Sequence, residues 1–246
     1  LEQRNWSWTS QDYPEEKRPT FISTYFSHTD NYGHQYGPNS AEILQAIGEM
    51  DRTIGRLIFG LKVRGLFDKV NIVLVSDHGM SETSSDSMIF LDDLIDIDLI
   101  NIIDGSPVAA IQPVGNVDSI YNIFKNSNKA MDIYKKGDTP ERLHYNNHRR
   151  IQPLTLSAKE HWSISTHDYF IEDDHAQNFN GATHGYDPKY VSMRGIFLAH
   201  GPAFKKNFKG PGVSNIHLYE MMCKIMGISP ANNDGIIDST AVFLKN

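Results

Sequence analysis

The sequence predicts an α/β fold with a mostly parallel central sheet, from three observations. Residues 21–26 are rich in β-branched and aromatic side chains and read as a strand. A long helical pattern follows, and the continuously apolar run 70–75 then reads as a strand buried on both faces. A third short apolar run occupies 195–199. Strand, helix and strand in that order imply a right-handed parallel crossover. In open parallel sheets, sites form outside the carboxyl ends of the strands. The three runs are therefore expected to be neighbours or near neighbours, with their loops gathered at one end.

The helix between the first two runs starts at Pro38-Asn39-Ser40, with Asn39 or Ser40 as its N-cap. Ile43, Ile47, Met50, Ile54, Leu57, Ile58 and Leu61 recur at helical spacing up to Gly65. Residues 86–104 mix aspartates with Ile and Leu but lack the glycine and closing glutamate of an EF-hand calcium loop. An amphipathic surface helix or strand is expected there. Residues 107–114 read as a strand and 117–124 as a short helix. Residues 129–180 are polar and short-stranded, and read as a small excursion over the active site. A second long helical pattern runs over 213–228, with Ile216, Tyr219, Glu220, Met222, Cys223 and Met226 on one face or its edges. No internal repeat or low-complexity tract is present.

The chemistry lies in three Asp/His segments beside the strand-like runs. Ser76-Asp77-His78-Gly79-Met80 follows the run 70–75. Asp30 and His34 lie four residues apart in what reads as a polar loop after the run 21–26. Ala182-Thr183-His184-Gly185-Tyr186-Asp187 precedes the run 195–199, itself followed by His200-Gly201-Pro202. Asp and His together offer the mixed oxygen and nitrogen ligands that Zn²⁺ and Mn²⁺ accept. One such pair is more often a helix cap beside a solvated histidine, but three suggest a single composite metal centre.

The order D-x-x-x-H-x-Y-G-P, S-D-H-G-M, H-G-Y-D and F-L-A-H-G-P resembles the nucleotide pyrophosphatase/phosphodiesterases of the alkaline phosphatase superfamily. Arg142-Leu143-His144-Tyr145, Arg150-Ile151-Gln152-Pro153-Leu154-Thr155, Leu218-Tyr219-Glu220-Met221-Met222-Cys223 and the terminal Phe243-Leu244-Lys245-Asn246 extend the resemblance over nearly the whole chain. It implies an alkaline-phosphatase-like fold and a site for two Zn²⁺ ions. Asp30, His34 and His184 match the ligands of one ion, and Asp77 and His78 match two ligands of the other. It also implies a threonine nucleophile and a further Asp ligand upstream. Thr9, Asp12 and Thr20 lack the preceding apolar strand that both need. The chain, residues 1–246, is thus read as roughly the last three-fifths of a catalytic domain, without the nucleophile.

The implied reaction is hydrolysis of phosphodiester or pyrophosphate bonds in nucleotides. Lysophospholipid or choline-phosphate esters are the alternative substrates, and an inactive binding ectodomain is the non-enzymatic alternative. The resemblance implies an extracellular protein, or a lumenal or membrane-anchored ectodomain.

Length and composition agree with a soluble α/β domain: 246 residues, 39% apolar and 22% charged. A net charge of −7 argues against a nucleic-acid-binding surface. No apolar run reaches the ~18 residues of a membrane span. The single cysteine, Cys223, excludes an intrachain disulfide and reads as a buried core thiol. Asn5-Trp6-Ser7 is a glycosylation sequon.

Seven further histidines are given plainer roles. His28 is read as solvated or just outside the ligand set, and His200 as structural. His144, His148, His161, His167 and His175 are read as exposed loop residues. Tyr32, Tyr36 and Tyr186, beside the ligand motifs, are read as packing residues.

Overall fold

The predicted central helix is present in the computed structural model, which describes residues 14–245. We label the described elements in chain order. Helix α1 is His28–Tyr36 and helix α2 is Ala41–Val63. The Ser40 hydroxyl accepts the Ile43 N–H at 3.1 Å, as an N-cap should. At the far end Leu66 N–H reaches the Leu61 carbonyl at 2.9 Å across Gly65, whose φ of +64° closes the last turn. Ile43, Ala46 and Leu61 are buried, but Ile47, Leu44 and Phe59 on the same helix are exposed, so the predicted apolar stripe is only partly covered.

Residues 21–26 form no strand. They run without a ladder partner among the described residues, with Phe21, Ile22 and Tyr25 exposed. Composition favours an extended chain there, but a strand exists only where a neighbour takes its hydrogen bonds. Strand β1 is Ile72–Val75, and it is half-buried with Val75 exposed, not buried on both faces. Its partner is β10, Phe197–His200. The two are neighbours, as expected, but antiparallel, with Ile72 opposite His200 and Val75 opposite Phe197.

The other strands are β2 Ser81–Thr83, β3 Met88–Phe90, β4 Ile100–Asp104, β5 Val108–Pro113, β6 Met131–Lys135, β7 Leu154–Ala158, β8 Ser163–Ser165 and β9 Gly181–Thr183. β2 pairs antiparallel with β9, and β3 pairs parallel with β8, which is the single parallel ladder among the described residues. β4, β5, β7 and β6 form an antiparallel four-stranded sheet in that order. The architecture is α/β, but the parallel character expected from sequence is confined to one short pair.

Residues 129–180 are therefore not an excursion. Their strands β6 and β7 complete the four-stranded sheet, and Leu154, Leu156 and Met131 fill its core with Ile111, Ile120 and Phe124. The last two come from helix α3, Val117–Phe124, capped by Asn116, which accepts the Ser119 N–H at 3.0 Å. Residues 86–104 split into β3, two single turns and β4.

The remaining helices are short. Helix α4 is His167–Ile171 and helix α6 is Asp238–Ala241. Helix α5 is Leu218–Met226, shorter than its pattern, and buries Cys223 as expected. Met221 of α5 packs with Phe204, Phe243 and Leu244 in a second core cluster beneath β1 and β10.

Candidate metal centre

Asp30 and His34 lie on helix α1, not in a loop. The sequence hides this helix because it has no apolar stripe. It is held instead by packing against α2 and β9, with the buried Gly33 seated on Met80. One helical turn brings the two side chains to one face, with His34 Nε2 3.5 Å from Asp30 Oδ1.

The Asp77-His78 pair leaves the end of β1 and is locked at once. Gly79 N–H donates to the Met193 carbonyl at 3.0 Å, and Met80 N–H to that of Ser192 at 2.9 Å. The approach is so close that a Cβ on Gly79 would lie 1.8 Å from the Ser192 oxygen. That contact explains the glycine of the S-D-H-G-M motif. The chain then enters β2, whose partner β9 leads directly into His184, with Ser81 opposite Thr183. The short β2–β9 ladder thus sets the rings of His78 and His184 face to face, centroids 3.4 Å apart. Gly181 of β9 (φ +147°) passes against α1, where a Cβ would sit 2.3 Å from the His34 carbonyl.

Four of the expected residues gather around the Asp30 carboxylate, and Asp77, largely exposed, lies beside its chain neighbour His78. His184 Nε2 lies 3.8 Å and His78 Nε2 3.9 Å from Asp30 Oδ1, and His78 Nε2 is 3.6 Å from Asp77 Oδ1. Ligand atoms of Asp30, His34 and His184 all lie within 4.8 Å of one another. Asp30 Oδ1 is buried and has no hydrogen-bond partner. The three contacts to it are too long for hydrogen bonds. Those from His34 and His184, at 3.5 and 3.8 Å, are near the roughly 3.4 Å that separates two ligands of a tetrahedral ion with bonds of about 2.1 Å.

Protonation sharpens this point. His34 Nδ1 faces the Ala182 carbonyl at 2.9 Å, and His78 Nδ1 faces the Gly79 carbonyl at 2.8 Å. A carbonyl only accepts, so both Nδ1 atoms carry a proton, and each ring turns its Nε2 toward the Asp30 carboxylate, free to ligate when that atom is unprotonated. For His184, burial, then the neighbouring His78 and His34, push the imidazole below its ordinary pKa. Its neutral, ligating form is the one favoured.

The other histidines fall away from this centre. His28 pairs with Glu49 at 2.8 Å, His167 with Asp93 at 3.0 Å and His144 with Asp234 at 3.3 Å. His161 faces the Glu82 carbonyl, and His148 Nδ1 accepts the Arg150 N–H at 3.3 Å. His200 stacks on Phe67, a structural role as expected. Tyr186 is buried and Tyr36 exposed. Asn5, Thr9 and Asp12, and the side chain of His175, lie outside the described residues; Thr20 is exposed.

Sequence reasoning missed Gly181, and it missed the ion pair between Arg142 and Asp187 behind the third segment. Both residues stood inside quoted motifs, but their partnership spans 45 positions and leaves no local signal.

An α/β scaffold that points one carboxylate and three imidazoles at a common centre offers a side-chain set that could hold a metal ion. Residues 3–187 match the model of the type I phosphodiesterase / nucleotide pyrophosphatase family, and the chain belongs to that family. The bis(5′-adenosyl)-triphosphatase enpp4 of Mus musculus is 37% identical over 239 residues, 97% of this chain and 50% of that protein. A venom phosphodiesterase of Crotalus durissus collilineatus is 36% identical over 245 residues, 96% of this chain and 29% of that protein. Among solved structures, human ectonucleotide pyrophosphatase/phosphodiesterase 5 superposes with a TM-score of 0.80 at 37% identity, covering 88% of this chain and 56% of that one. An inactive variant of the murine counterpart, in complex with AMP, superposes equally well at 36% identity, over 88% of this chain and 56% of that one. The alkaline-phosphatase-like fold class follows from these matches. The chain spans about half the length of the triphosphatase relatives it matches.

Proposed function

We propose that this chain carries the larger part of a two-zinc centre that hydrolyses phosphodiester or pyrophosphate bonds in nucleotides. The observation that supports this most is the buried, unpartnered Asp30 Oδ1 facing three imidazole nitrogens. Asp30, His34 and His184 would hold one ion, and Asp77 and His78 would supply two ligands of the second. Zinc ions held by these residues would supply positive charge against the phosphate oxygens. The protein's own share is to favour the neutral form of His184, fix the rings of His34 and His78 through their Nδ1–H bonds, and bury one oxygen of the Asp30 carboxylate.

A nucleotide substrate is supported by the triphosphatase relative and the AMP-bound neighbour. The threonine nucleophile, and the rest of the second ion's ligand set, we assign to a preceding segment of a longer protein, consistent with relatives of about twice this length. The names of the ecto- and venom relatives support a site of action outside the cell. No helix among the described residues is long and apolar enough to cross a membrane.

The test is release of p-nitrophenol from the p-nitrophenyl ester of a nucleoside 5′-monophosphate, with both proteins zinc-loaded and a chelator control. The longer protein is expected to turn over and to lose activity with the chelator. The 246-residue chain alone is expected to be inert, because the covalent route lacks its nucleophile. Equal turnover by the two would place the nucleophile within these residues and overturn the assignment.

A further inference from the structure

The third imidazole of the cluster is held differently from the other two. His34 and His78 are oriented through their Nδ1 atoms by backbone carbonyls. Among the described residues no hydrogen bond reaches the His184 ring. It rests on the face of His78, with the His34 ring 5.0 Å away and Asp30 Oδ1 3.8 Å from its Nε2, and no such bond fixes its rotation. That backbone passes at once through Gly185, at φ +100°.

Two residues beyond the glycine the chain is pinned. The Asp187 side chain is 7% exposed. Each of its oxygens accepts one N–H of the Arg142 guanidinium at 2.6 Å, a bidentate fork. The Lys189 N–H adds a bond to Oδ1 at 3.0 Å, and the Lys189 ammonium lies 3.3 Å from Oδ2. Between His184 and Asp187, Tyr186 is buried and donates its hydroxyl to the Trp162 carbonyl at 2.9 Å. The segment after the third imidazole is thus fastened from two sides.

We infer that Arg142 and Asp187 are positioning residues for His184: the fork fixes the loop that aims the one ring no carbonyl holds. The inference rests on reading the cluster as a metal centre. Neither residue reaches the ligand atoms, so the effect passes through the backbone. Loss of a group that orients a ligand commonly costs 10- to 100-fold in metal affinity, and about tenfold is expected here.

The test is the zinc affinity of the 246-residue chain, by competition with a chelating dye, for the native protein and for Arg142→Gln, Arg142→Lys, Asp187→Asn and His184→Ala. The zinc-free thermal midpoint of each is measured alongside. Arg142→Gln and Asp187→Asn are each expected to weaken zinc about tenfold, and the double variant no more than either alone. Arg142→Lys is expected to recover part of the loss, since it keeps the charge but not the fork.

If His184→Ala abolishes tight binding while the fork variants bind like the native chain, the inference is overturned and the metal reading stands. If His184→Ala binds zinc as the native chain does, the metal reading fails and the inference with it. Should Asp187→Asn fail to fold, Arg142→Gln decides, because the Arg142 side chain is 48% exposed. Unfolding of both would assign the fork to global stability and overturn the inference.

Discussion

Replacing Asp187 by Asn should remove a pH-dependent part of the protein's stability. The carboxylate is buried, and the Arg142 fork, with the Lys189 N–H and ammonium, holds its pKa down to about 2 from an ordinary 3.8. A depressed carboxylate stabilises the folded state above its unfolded pKa, and the gain is lost as pH falls through the folded value. The difference in pKa corresponds to about 2 kcal/mol at pH 5, and the same linkage leaves roughly 1 kcal/mol at pH 3. Asn keeps the shape and cannot ionise, so the stability difference between the native chain and Asp187→Asn should shrink by about 1 kcal/mol from pH 5 to pH 3, on top of a pH-independent offset. Urea denaturation followed by tryptophan fluorescence at the two pH values measures the change. A difference that does not shrink between pH 5 and pH 3 would refute the reasoning.

Three further outcomes are expected. Gly79→Ala drives a methyl group into the Ser192 carbonyl, so it should cost about 1–3 kcal/mol by urea denaturation; unchanged stability would mean that the contact yields freely. Leu154→Ala, at a fully buried position in the four-stranded sheet, should cost about 2–5 kcal/mol in the same assay. His184 is pushed below its ordinary pKa of 6.5 in the folded state, so the unfolded chain takes up its proton first as pH falls. Zinc-free stability should therefore decline below about pH 6.5, and His184→Ala should flatten that decline; an unchanged slope would remove His184 as its source.

The site was far more legible in the sequence than the sheet around it. Asp30, His34, His78 and His184 stand at recognisable spacings and gather around one carboxylate oxygen, with Asp77 beside His78. The long helix was readable because Ser40, the apolar repeat and Gly65 agree. Strand direction was not readable. The runs 70–75 and 195–199 suit either orientation, and only the long-range ladder makes them antiparallel. Helix α1 escaped notice because its stability comes from close packing at Gly33 and Gly181, a tertiary effect without a local pattern. The strands β6 and β7 escaped for a related reason. Met131 sits among Asn, Lys and Asp, and Leu156 lies in a five-residue run between two charged, histidine-bearing stretches, so the core strands were lost in a polar region.

The most direct measurement is anomalous diffraction at the zinc edge from crystals of the zinc-loaded chain. The account places the strongest peak within about 2.0–2.2 Å of Asp30 Oδ1, His34 Nε2 and His184 Nε2. A weaker peak is expected beside Asp77 and His78, where the ligand set is incomplete. Peaks lying elsewhere, with Asp30 Oδ1 bonded to no metal, would contradict it.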